Sequence, residues 1–253
     1  MTAAQLSRTS SRALVWALLL ITWPQIALPS SAAGAESALQ PLTPALRIEY
    51  VTKLGLIQGH LWVAAQLVEN GYTDLGAKHA KHPGQEVYQE LLPFFSATNS
   101  PGSAAELEAM SGQFHAKSLT EFRRAYADVM STITGIVAAQ NLGAQAKLQV
   151  AGALVEQASV EYRAGVRDGA VVDLQEYQDA RGFVEIAHAL LATDSPAQGI
   201  AAGPQERLLE QLNAVKGLWP SLKPNAETLG DGDELASLSA TLAVMLEATA
   251  VEQ

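Results

Sequence analysis

Apolar residues recur at three- and four-residue spacings along almost the whole chain, and this helical periodicity constrains the fold more than any other feature. The longest segment, residues 45–70, is apolar on two sides and ends at Asn70-Gly71, a common way for a helix to stop. Alternating apolar and polar runs, the usual sign of strands, are missing. Further helices are expected at 74–81, 83–93, 104–116, 119–140, 143–167, 174–192, 203–219 and 231–252. The sequence predicts an all-α fold of antiparallel helical bundles.

The helical region divides into two expected halves, residues 45–142 and 143–253. Each half begins with a long helix, a turn with Asn-Gly or Asp-Gly, and an Asp-Leu pair that opens a second helix, at Asp74-Leu75 and Asp173-Leu174. This shared plan suggests two weakly similar helical hairpin units. Ser103 and Ser118 each precede a glutamate by three residues, the spacing of a capping box, so they are expected to open helices.

The first 35 residues have the order of a secretory signal peptide. Arg8 and Arg12 precede an apolar stretch at 13–28, and small residues follow up to Ala35, the pattern of a cleaved segment. The apolar stretch is interrupted by Pro24 and is short for a membrane span. We therefore expect cleavage near Ala35, a short extended leader at 36–44, and a periplasmic protein without direct membrane insertion after processing.

Composition excludes several classes of site and partner. Loss of Arg8 and Arg12 would change the formal net charge from −10 to −12, which argues against nucleic acid as a partner. The chain has no cysteine, so disulfides and thiolate metal sites are excluded. No phosphate-binding loop, nucleophile elbow or zinc-protease pattern is present, and we expect no enzymatic activity.

Histidines near the first predicted helical corner form one candidate metal site. The turn at 70–71 would fold His79 back towards His60, and His82 and Glu86 follow within two turns. Neutral imidazole suits borderline metals such as copper, zinc or iron. The alternative is structural: His60 bonds a backbone carbonyl, His79 is solvated, and His82 caps the helix that Pro83 begins.

Carboxylates near the second corner form another candidate site. Glu176 and Asp179 share a helix face, and Glu161 precedes the same corner. Oxygen donors suit hard cations, and like charges this close repel unless one is protonated, paired or bound to a cation. The alternative is a salt-bridge network with Arg163, Arg167 and Arg181, in which Glu176 also completes a capping box headed by Asp173.

The second corner also resembles a known family. Val166, Asp168-Gly169, Val171, Asp173, Glu176-Tyr177 and Phe183 occur in the order typical of the extracytoplasmic helical domain associated with bacterial high-affinity iron permeases, and Tyr162 precedes them. The chain is more distantly similar to imelysin-like periplasmic iron proteins, whose His-x-x-Glu motif has no match here. The Arg-Glu-x-x-Glu motif of the iron channel is also absent. The resemblance implies a helical protein that serves iron uptake without being the permease.

These observations predict a periplasmic, non-catalytic protein that binds or delivers a metal ion. The expected metal is iron, with copper or zinc as alternatives, and the expected partner is a membrane permease or another periplasmic protein. The competing prediction is a metal-free helical module that binds a partner protein. The candidate ligands are His60, His79, His82, Glu86, Glu161, Glu176 and Asp179.

Overall fold

Helices make up most of the chain that the structure describes. The computed structural model describes residues 42–82, 87–116, 118–192, 202–225 and 228–251, which belong to one unit spanning residues 39–253. Its helices are α1 (Pro44–Glu69), α2 (Thr73–His82), α3 (Tyr88–Thr98), α4 (Ala104–Ala116), α5 (Leu119–Ala139), α6 (Ala144–Gly165), α7 (Leu174–Ala192), α8 (Ala202–Val215) and α9 (Asp233–Val251), with a 3-10 helix at Lys216–Leu218. The all-α prediction is confirmed.

Side-chain hydrogen bonds cap the start of α1 and α5, and a glycine follows the end of α1. The Thr43 hydroxyl accepts a hydrogen bond from the Leu46 amide, and the Ser118 hydroxyl accepts one from the Glu121 amide, both at 3.3 Å. Gly71 has a φ of 83° just after the end of α1, a conformation that glycine adopts without strain. Helix α4 begins directly after Ser103, as expected, but the buried Ser103 hydroxyl has no hydrogen-bond partner among the described residues, so the predicted side-chain cap is wrong there.

Pro93 does not end a helix, contrary to the sequence-based expectation. It lies inside α3, which continues to Thr98. Proline removes one backbone hydrogen bond, here to the carbonyl of Gln89, and both residues lie on the exposed side where water can reach that carbonyl. Phe94 and Phe95 are buried just beyond it. Their burial favours continuation of the helix strongly enough to offset the lost bond.

A tight β-hairpin joins α6 to α7. Strand β1 (Val166–Arg167) pairs antiparallel with β2 (Ala170–Val171). Asp168 and Gly169 form the turn with φ values of 52° and 74°, and Asp-Gly is a favoured pair where both central residues need positive φ. The predicted Asp-Gly turn is therefore present, and it directs α7 back along α6.

The buried apolar side chains form two clusters. One is built mainly from α6, α7, α8 and α9, and the other mainly from α1, α3, α4 and α5. Helix α1 contributes to both and packs against α2, α5, α6 and α7, which agrees with its two apolar sides. The division into halves at 142–143 stays a prediction.

The proposed signal peptide and most of the leader lie outside the described residues. Within the described residues, no helix combines the length and the apolar character that crossing a bilayer requires.

Candidate metal centre

Three buried side chains from separate helices converge at one point. Nδ1 of His60 on α1 lies 2.6 Å from Oδ1 of Asp179 on α7, and Nδ1 of His79 on α2 lies 2.8 Å from the same oxygen. One ligand atom from each residue falls within 4.8 Å of the others. All three residues are at least 94% buried. The arrangement unites residues that the sequence had placed in two separate candidate sites.

Close helix packing at glycines brings these residues together. A Cβ atom on Gly182 would lie 2.4 Å from the carbonyl oxygen of Gly59, so only glycine allows α7 to approach α1 this closely. His60 follows Gly59 directly, and Asp179 lies one turn before Gly182. A Cβ atom on Gly76 would likewise lie 2.8 Å from the Ala64 carbonyl oxygen, and His79 follows Gly76 by one turn of α2. Each of the three residues therefore sits beside a close helix contact.

Asp179 is ionised in this setting. Burial would raise the pKa of its carboxyl group, but the positive charges of His60 and His79 and the hydrogen bonds from both rings outweigh burial and hold that pKa below its usual range. An ionised carboxylate only accepts hydrogen bonds. Both Nδ1 atoms must therefore donate their protons to Oδ1.

Both ring nitrogens of His79 face hydrogen-bond acceptors. Its Nε2 lies 2.7 Å from Oε1 of Gln178, and the Gln178 amide nitrogen donates to the Leu222 carbonyl oxygen at 2.6 Å. A carbonyl oxygen cannot donate, so the amide is oriented with its oxygen towards His79. Nε2–H donates to that oxygen while Nδ1–H donates to Asp179. The centre thus places a buried histidine, with a hydrogen-bond acceptor at each ring nitrogen, beside a buried carboxylate.

The glutamates of the second candidate site form a proton-sharing pair. Glu176 and Glu161 are joined by a hydrogen bond between their carboxyl groups, which requires one of them to be protonated. Burial, then the bond to Glu161, then the negative charges of Glu161, Asp179 and Asp173 raise the pKa of Glu176 to about 9. Gln157 also donates to Glu161. Glu176 and Glu161 are thus neighbours of the histidine centre, since Asp179 lies one turn from Glu176.

Two of the predicted metal ligands are not described far enough to be placed. Glu86 lies outside the described residues, and His82 is described only as the last residue of α2. Arg181, an expected partner of the acidic cluster, instead pairs with Glu185 at 2.5 Å. Asp173 accepts a hydrogen bond from the Gln175 amide at 3.0 Å, so it caps the start of α7 without Glu176 as the reciprocal partner.

Gln178 is the residue of the centre that sequence reasoning missed. It is 1% exposed and bridges His79 to the backbone at Leu222. A buried amide next to an aspartate on a helix gives no periodic signal, because adjacent helical residues point in different directions. Only the packing of α2 and residues 219–223 around α7 reveals its role.

The C-terminal part of the chain matches a known family of domains. Residues 138–252 match the iron permease-associated 4-helix bundle domain. The matched part contains α6, α7, α8 and α9, and the resemblance seen in the sequence is confirmed. The match links the chain to iron uptake. Neither the curated proteins nor the solved structures give a significant match.

The matched domain supplies only part of the centre. Asp179, Gln178 and the two glutamates lie within residues 138–252, whereas His60 and His79 lie on helices that precede the match. The centre is therefore formed where α7 of the matched domain packs against α1 and α2.

Proposed function

We propose that this protein is an exported, non-catalytic metal-binding protein that holds Fe(II) for an iron permease. The observation that carries the proposal is the convergence of His60, His79 and Asp179 on one buried point. The link between the matched domain and iron permeases favours iron as the cargo. Export rests on the order of charged, apolar and small residues before Ala35.

The donor set supports a borderline divalent ion. Two imidazole nitrogens and one carboxylate oxygen form the combination that non-haem Fe(II) sites use, and Zn(II) and Cu(II) also accept it. Fe(III) and other hard cations favour oxygen donors, and the Glu161–Glu176 pair is the all-oxygen alternative. Binding at His60, His79 and Asp179 thus predicts a preference for Fe(II) over Fe(III).

The spacing of the donors fits a metal after a small adjustment. In the structure, Nδ1 of His60 and Nδ1 of His79 are hydrogen-bonded to Oδ1 of Asp179 at 2.6 and 2.8 Å. Ligand atoms about 2.1 Å from a tetrahedral metal lie roughly 3.4 Å apart, so each histidine nitrogen needs to move away from Asp179 Oδ1 by less than about 1 Å. The imidazole protons must leave as the metal enters, and binding is expected to release protons.

A metal here would join two parts of the chain. His60 and His79 come from α1 and α2, and Asp179 comes from α7 of the matched domain. A bound ion would hold these elements together, and its release would require them to separate. This arrangement suits a carrier that transfers its ion when a partner such as the permease loosens the contact.

A metal-free role is the competing proposal. The same three residues already satisfy one another as a buried ion pair with hydrogen bonds, and such a network can fix the packing of helices without any ligand. Under this reading the protein is a structural or interaction module. Its iron link then depends on a partner protein and not on its own ligands.

Anaerobic calorimetry with Fe(II) separates the two proposals. We expect the wild type to bind one equivalent of Fe(II). The affinity for Fe(II) should fall by about 100-fold or more in His60→Ala and in His79→Gln, because losing a metal ligand should cost more than losing a group that only orients a ligand. His188→Gln is the matched control, because His188 lies on α7 outside the centre. The double variant Glu161→Gln, Glu176→Gln should bind Fe(II) like the wild type.

The outcomes are distinct. No Fe(II) binding by the folded wild type overturns the metal-binding proposal and favours the module. Loss of binding only in the double glutamate variant moves the site to Glu161 and Glu176. Export is tested separately by the N-terminal sequence of periplasmic protein, which should begin after Ala35; an intact cytoplasmic N-terminus would contradict it.

A further inference from the structure

Gln178 connects the histidine centre to a distant segment of backbone. Its side chain is buried and makes two opposite contacts: Oε1 accepts from Nε2–H of His79 at 2.7 Å, and Nε2 donates to the Leu222 carbonyl oxygen at 2.6 Å. The Leu222 carbonyl fixes which end of the amide faces the histidine. A flipped amide would set two donors against each other at His79 and two acceptors against each other at Leu222.

This orientation decides which His79 nitrogen is available to a ligand. Nε2 keeps its proton because it donates to Gln178, so only Nδ1 can lose its proton and offer a lone pair. Nδ1 is also the atom that faces Asp179. In metal sites a ligating histidine usually donates its other N–H to an oxygen acceptor, which fixes the tautomer and the ring orientation. Gln178 has the geometry of such an acceptor.

The backbone that orients Gln178 is itself held in place. We call residues Trp219–Lys223 the 219–223 segment. Trp219 donates from its indole to the Tyr177 carbonyl oxygen at 2.7 Å, and the Tyr177 hydroxyl donates to the Ser221 carbonyl oxygen at 2.8 Å. The Lys223 ammonium lies 4.7 Å from the centre of the Tyr72 ring at the start of α2. These contacts keep the Leu222 carbonyl opposite Gln178.

We propose that Gln178 is a positioning residue that makes His79 bind a metal ion through Nδ1, and that the 219–223 segment holds Gln178 in the required orientation. This inference rests on the proposed function and adds to it the atom through which His79 binds. It also assigns a role to a residue of the matched domain that is not itself a ligand.

The test uses Zn(II) as a diamagnetic probe and reads the two His79 nitrogens separately. In full-length mature protein labelled with ¹⁵N-histidine, long-range ¹H–¹⁵N spectra distinguish a metal-bound nitrogen from a protonated one. We expect Zn(II) on Nδ1 and a proton on Nε2 in the wild type. Gln178→Met keeps the length of the side chain but removes both hydrogen bonds. It should give a mixture of Nδ1 and Nε2 binding and an affinity about 10- to 100-fold weaker.

Two further variants separate positioning from general packing. Tyr177→Phe removes one of the hydrogen bonds that hold the 219–223 segment without touching His79, so it should shift part of the binding to Nε2, to a smaller extent than Gln178→Met does. Unchanged Nδ1 binding in Tyr177→Phe would overturn the role of the segment. Gln178→Glu retains an acceptor for Nε2–H, and when protonated it can still donate to Leu222, so it should keep Nδ1 binding. If Gln178→Met does not fold, Gln178→Glu decides: Nε2 binding in that variant overturns the proposal.

Failure of this inference differs from failure of the proposed function. If the wild type binds no Zn(II), both fail. If it binds Zn(II) but uses Nε2 of His79, or if Gln178→Met binds through Nδ1 with unchanged affinity, the metal-binding function stands and the role of Gln178 is wrong.

Discussion

Asp179→Asn is the substitution whose effect on stability follows most directly from the structure. The change keeps the shape of the side chain but removes the negative charge that faces His60 and His79 at 2.6 and 2.8 Å. Asp179 and His79 are almost fully buried, so water cannot replace the lost partner. Removing one member of a buried ion pair typically costs about 3–5 kcal/mol. We expect the free energy of unfolding of the metal-free protein to fall by about this amount.

The pH dependence gives this prediction a second, independent check. The pKa of Asp179 is lower in the folded protein than in the unfolded chain, because the two histidines outweigh the opposing effect of burial. Its stabilisation is therefore complete above the unfolded pKa of about 4 and declines as the pH falls towards the folded value. The difference between wild type and variant should be largest near about pH 7 and smaller near about pH 3.5.

Urea unfolding followed by circular dichroism measures both effects. Asp128→Asn is the control, because Asp128 is mostly exposed and pairs at 4.0 Å with Arg124, which is also exposed; we expect almost no change there. A loss below about 1 kcal/mol for Asp179→Asn at neutral pH would refute the claim that a buried ion pair holds α1, α2 and α7 together.

Further predictions concern the glutamate pair and the helix contact. The pKa of Glu176 is raised to about 9, by burial first and by Glu161 second, so the free energy of unfolding should fall as the pH rises from about 4.5 towards 9. Urea unfolding of Glu176→Gln should show a smaller fall over this range. An unchanged pH dependence in the variant would contradict the raised pKa. Gly182→Ala places a Cβ 2.4 Å from the Gly59 carbonyl oxygen and should lower the melting temperature and the affinity for Fe(II) together. Gly135→Ala, with open space around its Cβ, should leave the melting temperature and the Fe(II) affinity unchanged, or raise stability by up to about 1 kcal/mol. Similar results for Gly182→Ala and Gly135→Ala would refute the role of the close contact between α1 and α7.

The fold could be predicted from the sequence because it depends on local signals. Helical periodicity located α1 and α7, Asn70-Gly71 marked the end of α1, and Asp168-Gly169 marked the turn before α7. Pro93 was misleading because a local rule about proline was overridden by burial of Phe94 and Phe95. Local signals in the sequence do not predict helix ends that are set by tertiary packing.

The centre could be predicted only in part. The turn after α1 correctly suggested that His60 and His79 lie near each other, since both residues belong to one helical hairpin. Asp179 is 100 residues further along the chain than His79, and its contact depends on how closely Gly59 and Gly182 allow α1 and α7 to pack. Helical spacing placed Asp179 on the same face as Glu176, but it could not show that the two carboxyl groups have different partners.

X-ray absorption at the iron edge of Fe(II)-loaded protein is a direct test of the proposed metal centre, because it reports which atoms surround the metal. We expect the wild type to show two imidazole nitrogens and a carboxylate oxygen among the iron ligands. We expect His79→Gln to lose one imidazole and His188→Gln to be unchanged. Iron surrounded by oxygen ligands alone, or a spectrum that His79→Gln does not alter, would contradict a metal centre at His60, His79 and Asp179.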